Sequence, residues 1–138
     1  MDKELRREII LDNYNNPYNK SIPEGDYFKV NTNNESCIDN LDIYFKINNK
    51  VVEDVYFDGE ACAISTSATS IINRMIIGKT KEEIQEVLNN YKAMINEEEY
   101  NKEVLKELNV YDEIYLQPNR KTCALLPTKA IEKILEKM

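Results

Sequence analysis

Leu41-Asp42-Ile43-Tyr44-Phe45-Lys46-Ile47-Asn48 alternates apolar and polar residues without a break, and the fold follows from that alternation. A period of two puts Leu41, Ile43, Phe45 and Ile47 on one face of a strand and Asp42, Tyr44 and Lys46 on the other, so one face is dry and the other wet. Asn48-Asn49-Lys50 follows as a turn, and Val51 to Phe57 reads as a returning strand, which makes the pair an antiparallel hairpin. Upstream, Phe28, Val30 and Thr32 alternate against Tyr27, Lys29 and Asn31, which predicts a third strand over 27–33. Asp58-Gly59-Glu60 ends the sheet.

Helical spacing takes over on both sides. Leu5, Ile9, Ile10 and Tyr14 predict a helix over 3–15, stopped by Asn15-Asn16-Pro17. From Cys62 the chain turns helical again, with small residues over 63–70, an apolar face of Ile71, Ile72, Met75 and Ile76, and Gly78 as the stop. Thr80 with Glu83 forms a capping box ahead of Ile84, Val87, Leu88 and Tyr91. A charged helix is expected over 97–108, a loop over 109–122 with Pro118, and a last helix from Cys123 or Ala124, with Pro127 in its first turn. The order predicts an α+β fold, a three-stranded antiparallel sheet with helices packed on one face, as a single domain over 1–138.

Composition narrows the function classes. The 138 residues carry 18 Lys+Arg against 25 Asp+Glu, a net charge of −7, which argues against nucleic acid as a partner. The acidic surface suits basic protein partners or serves solubility. No apolar run approaches the roughly 20 residues of a membrane span. The charged start Met1-Asp2-Lys3-Glu4-Leu5 lacks the apolar stretch of a signal peptide, so a cytoplasmic protein with reduced thiols is expected. There is no histidine, which removes imidazole acid–base catalysis and every His-containing zinc site. A metal here would be held by sulfur and oxygen.

Three cysteines cannot all pair internally. Each falls at a boundary between predicted elements: Cys37 in the loop before the central strand, Cys62 at a strand-to-helix junction, Cys123 at a loop-to-helix junction. Buried free cysteine is also a common small hydrophobe, but it usually lies within an apolar stripe. Helix N-termini would favour thiolate at Cys62 and Cys123. Asp39 stands two residues after Cys37, and three thiolates with one carboxylate make a tetrahedral set suited to zinc or iron. From the residues alone, an aspartate capping a turn is the plainer reading of Asp39.

Four segments, in order along nearly the whole chain, resemble the U-type iron–sulfur cluster assembly proteins. Tyr14-Asn15-Asn16-Pro17-Tyr18-Asn19 is similar to the segment after their first helix, and Asn34-Glu35-Ser36-Cys37-Ile38-Asp39 to their first cysteine loop. Val52 to Ser65, through Asp58-Gly59-Glu60-Ala61-Cys62, resembles their second cysteine motif, and Pro118 to Leu126 the third. Thr122 stands where IscU-type scaffolds carry a histidine, and their Leu-Pro-Pro-Val-Lys segment is missing. Residues 63–122 leave room for the extra helical insertion of SufU-type proteins, and Arg120 matches their pattern, so the resemblance is nearer to SufU.

The resemblance implies that Cys37, Asp39, Cys62 and Cys123 bind one Zn2+ ion. It further implies that Cys37 accepts persulfide sulfur from a SufS-like cysteine desulfurase, whose histidine replaces Cys37 on the metal, for delivery to downstream iron–sulfur assembly proteins. Asp39 would tune metal lability, and Arg120 would place positive charge near the developing sulfur anion, although a solvated surface arginine reads nearly as well. Ser65 and Thr66 read as helix-start residues, and the Tyr14 segment as a structural turn that could border a partner surface. The alternatives are a scaffold building a [2Fe–2S] cluster on the same ligands, and a protein whose zinc is structural only. Ile38 and Ala61 replace family glycines, which would strain the backbone if either position needs positive φ.

Overall fold

The computed structural model describes residues 1–35 and 37–138. Ser36, part of the first cysteine loop, lies outside the described residues. Strands β1 (Phe28–Asn33), β2 (Asn40–Asn48) and β3 (Val51–Glu60) form an antiparallel sheet in the order β1-β2-β3. Helix α1 (Lys3–Asn15) precedes the sheet. Helices α2 (Ala63–Ile76), α3 (Lys81–Ile95) and a single-turn α4 (Lys102–Leu105), two 3-10 segments (Lys106–Tyr111 and Ile114–Leu116) and α5 (Pro118–Glu136) follow it. The α+β architecture expected from the alternation is the one observed.

The hairpin turns through Asn49 and Lys50, both at positive φ (52° and 64°), the combination whose twist matches two antiparallel strands. Register then stacks the apolar alternants: Phe45 lies opposite Phe28 and Val55, Ile43 opposite Val30 and Phe57, and Leu41 opposite Thr32 and Gly59. Leu41, Ile43, Phe45, Val55 and Phe57 are all fully buried, in one cluster with Ile71 and Ile72 of α2 and Ala130, Ile131 and Ile134 of α5. Burying each of these large side chains stabilises the fold by about 1.5–3 kcal/mol, so this face holds the helices on. Gly59 sits on that face at φ +128°, where a Cβ would lie 2.3 Å from the Asn40 carbonyl oxygen. Only glycine allows β3 to run this close to the residue that follows Asp39.

Two expectations fail at the C-terminal end. The helix expected over 97–108 reduces to the single turn of α4, and the chain continues as 3-10 structure to Tyr111. Long-range polar contacts fix this stretch: Arg6 of α1 pairs with Asp112 at 2.9 Å and Glu113 at 3.3 Å, and the Tyr111 hydroxyl meets Ser67 Oγ at 2.5 Å. Helix α5 starts at Pro118, five residues ahead of Cys123, because proline at the first helical position has no N–H to leave unpaired.

Pro127 is therefore inside α5 rather than in its first turn. An interior proline removes a helix hydrogen bond and crowds the carbonyl four residues back, at a cost of about 3 kcal/mol. Side chains take over the carbonyls around it. Ser65 Oγ lies 3.1 Å from the Cys123 oxygen, the Tyr91 hydroxyl donates to Ala124 at 2.7 Å, and Thr32 donates to Leu126 at 2.9 Å.

Candidate metal centre

Three separate pieces of chain deliver the cysteines. Cys37 and Asp39 lie in the short connection from β1 to β2, closed by the Asn34 amide donating to the Asp39 carbonyl and the Cys37 amide to the Asn34 carbonyl, each at 3.0 Å. Cys62 is the N-cap of α2, where its sulfur accepts from the Ser65 amide at 3.4 Å. Cys123 comes from the second turn of α5, so the expected helix-start placement holds for Cys62 and fails for Cys123. One ligand atom from each of Cys37, Asp39, Cys62 and Cys123 lies within 4.8 Å of all the others. The four residues drawn together from the sequence meet at one point.

Exposure grades across the cluster: Cys37 is exposed, Cys62 partly buried, and Cys123 buried. Asp39 is 2% exposed, and a carboxylate this deep needs partners. Its Oδ1 accepts from the Cys62 amide at 2.7 Å, and its Oδ2 from Ser65 Oγ at 2.6 Å. Burial pushes the Asp39 carboxyl up, but the hydrogen bonds from Ser65, the Cys62 amide and the neighbouring thiols together outweigh it and hold the group below the usual carboxylate range. Burial pushes the Cys123 thiol up to about 12, with Cys62 and the Asp39 charge adding in the same direction. Acidic groups converging on one point repel each other's negative charge, and a cation relieves that repulsion.

The backbone accommodates both replaced glycines, since neither Ile38 nor Ala61 adopts positive φ. Ile38 is 69% exposed. It lines an open recess beside the thiols together with Gly59, Glu60, Ala61 and Thr66, and Tyr14, Asn15 and Lys20 complete the wall, so the Tyr14 segment borders the site. Arg120 is exposed in the first turn of α5, one turn ahead of Cys123. Ser65, read from sequence as a helix-start residue, is fully buried and touches Asp39, Cys62 and Cys123. No spacing rule flags its contacts with Asp39 and Cys123, which are 26 and 58 residues away.

The NifU-like N terminal domain family matches residues 5–137. This chain belongs to that family. It is the U-type family that the cysteine motifs resemble, and its members here include proteins of both subtypes. The chain is 33% identical over 130 residues to the zinc-dependent sulfurtransferase SufU of Bacillus subtilis (strain 168), covering 94% of this chain and 88% of that protein. It is 31% identical over 105 residues to the iron–sulfur cluster assembly scaffold protein IscU of Thermotoga maritima, covering 76% and 74%. Among solved structures, it superposes with a TM-score of 0.89 on a protein from Fervidobacterium islandicum AW-1 described as an iron–sulfur cluster assembly scaffold for the SUF system, at 30% identity over 97% of this chain and 99% of that one. The α+β fold of this NifU-like domain is thus that of its SUF-system neighbour.

The donor set fits a thiophilic divalent ion. Tetrahedral zinc with bonds of about 2.0–2.3 Å needs donors roughly 3.3–3.8 Å apart, and a cluster already within 4.8 Å reaches that by small side-chain adjustments. No helix of the described chain is long and apolar enough to cross a membrane.

Proposed function

We propose that this protein is a zinc-dependent sulfur acceptor in iron–sulfur cluster assembly, holding one zinc ion on Cys37, Asp39, Cys62 and Cys123 and receiving sulfur on Cys37. The graded exposure of the thiols carries the reading: Cys37 is on an exposed loop, whereas Cys62 caps a helix and Cys123 is buried in one. A partner can reach Cys37 while the other donors stay in place. The likeness to the sulfurtransferase SufU over almost the whole chain supports the same reading.

Bound zinc would keep the thiols deprotonated and shield them from oxidation. The chain's own part is a thiol exchange. The Cys37 thiolate attacks the outer sulfur of a persulfide on a cysteine desulfurase; a new S–S bond forms at Cys37, the old S–S bond breaks, and the desulfurase cysteine leaves as thiolate. Asp39, the sole oxygen donor, makes the centre less tightly held than one of four thiolates. Arg120 supplies positive charge one turn from Cys123, where anionic sulfur gathers. The acceptors of the sulfur are downstream iron–sulfur assembly proteins, and the reaction belongs in the cytoplasm, where thiols stay reduced.

A second reading, a scaffold carrying a [2Fe–2S] cluster on the same four residues, draws on the likeness to IscU. Purified protein separates the two. Colourless protein with one zinc per chain that raises the turnover of a cysteine desulfurase is expected; brown protein with acid-labile sulfide would overturn the sulfur-acceptor reading.

Zinc uptake is also expected to depend on pH. Cys123, held protonated up to about 12, must lose its proton to ligate, so binding releases a proton and tightens as pH rises. Chelator competition one pH unit apart should show apparent affinity rising by about tenfold for each proton released. An affinity that does not change with pH would refute thiol ligation by Cys123.

A further inference from the structure

We infer that Ser65 is the positioning residue that sets the hold of Asp39 on the metal, an assignment that rests on the zinc reading of the centre. The Ser65 side chain is fully buried, and its oxygen lies 2.6 Å from Asp39 Oδ2, 3.1 Å from the Cys123 carbonyl and 3.5 Å from Cys62 Sγ. It thus joins the three chain segments that carry the donors. Capping does not explain the hydroxyl, because the start of α2 is capped by the sulfur of Cys62, which receives the Ser65 amide.

A serine hydroxyl has one hydrogen and here faces two acceptors. The shorter contact, to an ionised carboxylate, takes the hydrogen. Asp39 is then tied at Oδ2 by the Ser65 side chain and at Oδ1 by the Cys62 amide, both within one turn of α2. Two ties on one carboxylate stop it rotating and leave its remaining lone pairs for the ion.

The second acceptor matters when Asp39 moves. Because Pro127 has no N–H, the Cys123 carbonyl has no helical partner at that position and can take the same hydrogen. Release of the carboxylate therefore leaves no orphaned buried hydroxyl, and the cost of letting Asp39 go is reduced. Ser65 holds the carboxylate in line and also allows it to leave.

The test is zinc loss to a competing chelator from full-length, zinc-loaded wild type, Ser65→Ala, Asp39→Ala and the double variant, with visible spectra of the cobalt(II)-loaded forms. Ser65→Ala should lose zinc faster by about tenfold or more, and its cobalt bands should shift toward those of Asp39→Ala. The double variant should lose zinc no faster than Asp39→Ala alone, because Ser65 acts through Asp39. Wild-type release from Ser65→Ala, or an equal Ser65 effect with Asp39 already removed, would overturn the assignment while leaving the zinc reading intact. A wild type that holds no stoichiometric zinc would sink both.

Discussion

Cys37→Ser is expected to abolish sulfur transfer while leaving the fold intact. The attacking group in thiol exchange is a thiolate, and a serine hydroxyl neither ionises near neutral pH nor matches sulfur as a nucleophile, so loss of at least about 100-fold in desulfurase stimulation is predicted. The fold should not notice. Cys37 is exposed on the loop between β1 and β2 and contributes no apolar surface to the core, so the stability of the metal-free protein should change by no more than about 0.5 kcal/mol. Desulfurase turnover with each protein, and mass spectrometry of the peptide carrying residue 37 after incubation with desulfurase and cysteine, would read both halves. Equal stimulation by wild type and variant would remove Cys37 as the acceptor.

Gly59→Ala should damage stability and the metal site together. At φ +128° an added Cβ adopts a backbone conformation that L residues rarely reach, and it meets the Asn40 carbonyl oxygen at 2.3 Å. That neighbour is backbone in the central strand and cannot swing aside. Strain and overpacking together predict a loss of about 3 kcal/mol or more, a fall of roughly 10 °C in the melting temperature of the metal-free protein. The relief available is to push β2 away at Asn40, and that displaces Asp39, the adjoining residue, from Cys62 and Ser65. Zinc content should therefore drop as well. A variant that melts with the wild type and loads zinc normally would show that the strands have slack there.

The sheet was legible because each strand of the hairpin has one dry and one wet face, so Leu41 to Ile47 declare their period locally. The capping box of Thr80 and Glu83 was legible for the same reason: every partner lies within three residues. The start of α5 was not. Its first three residues, Pro118 to Arg120, are exposed, so apolar periodicity begins only where the helix meets the core, and Pro127 then looks like a first-turn residue. The segment after Glu97 misled for the opposite reason. Tyr100, Val104 and Leu108 have helical spacing, but the chain around them is shaped by Arg6 and Ser67 from distant helices.

The metal cluster was hinted at by three cysteines at element boundaries with Asp39 two residues after Cys37, and family likeness decided the reading. Nothing local connects residues 37, 62 and 123; β-strand pairing and the packing of α2 against α5 bring them together. Ser65 stayed unseen because a serine three residues into a helix is ordinary until a carboxylate from another segment is found on its hydroxyl.

The proline inside α5 has a consequence for which part of the centre can shift. Its neighbouring carbonyls are gripped by a strand, by α2 and by α3, through Thr32, Ser65 and Tyr91. A helix fastened on three sides through its own main chain cannot slide or rotate without breaking several hydrogen bonds at once. Cys123 is therefore anchored from a strand and two other helices, through bonds that a shift of the exposed Cys37 loop would leave intact.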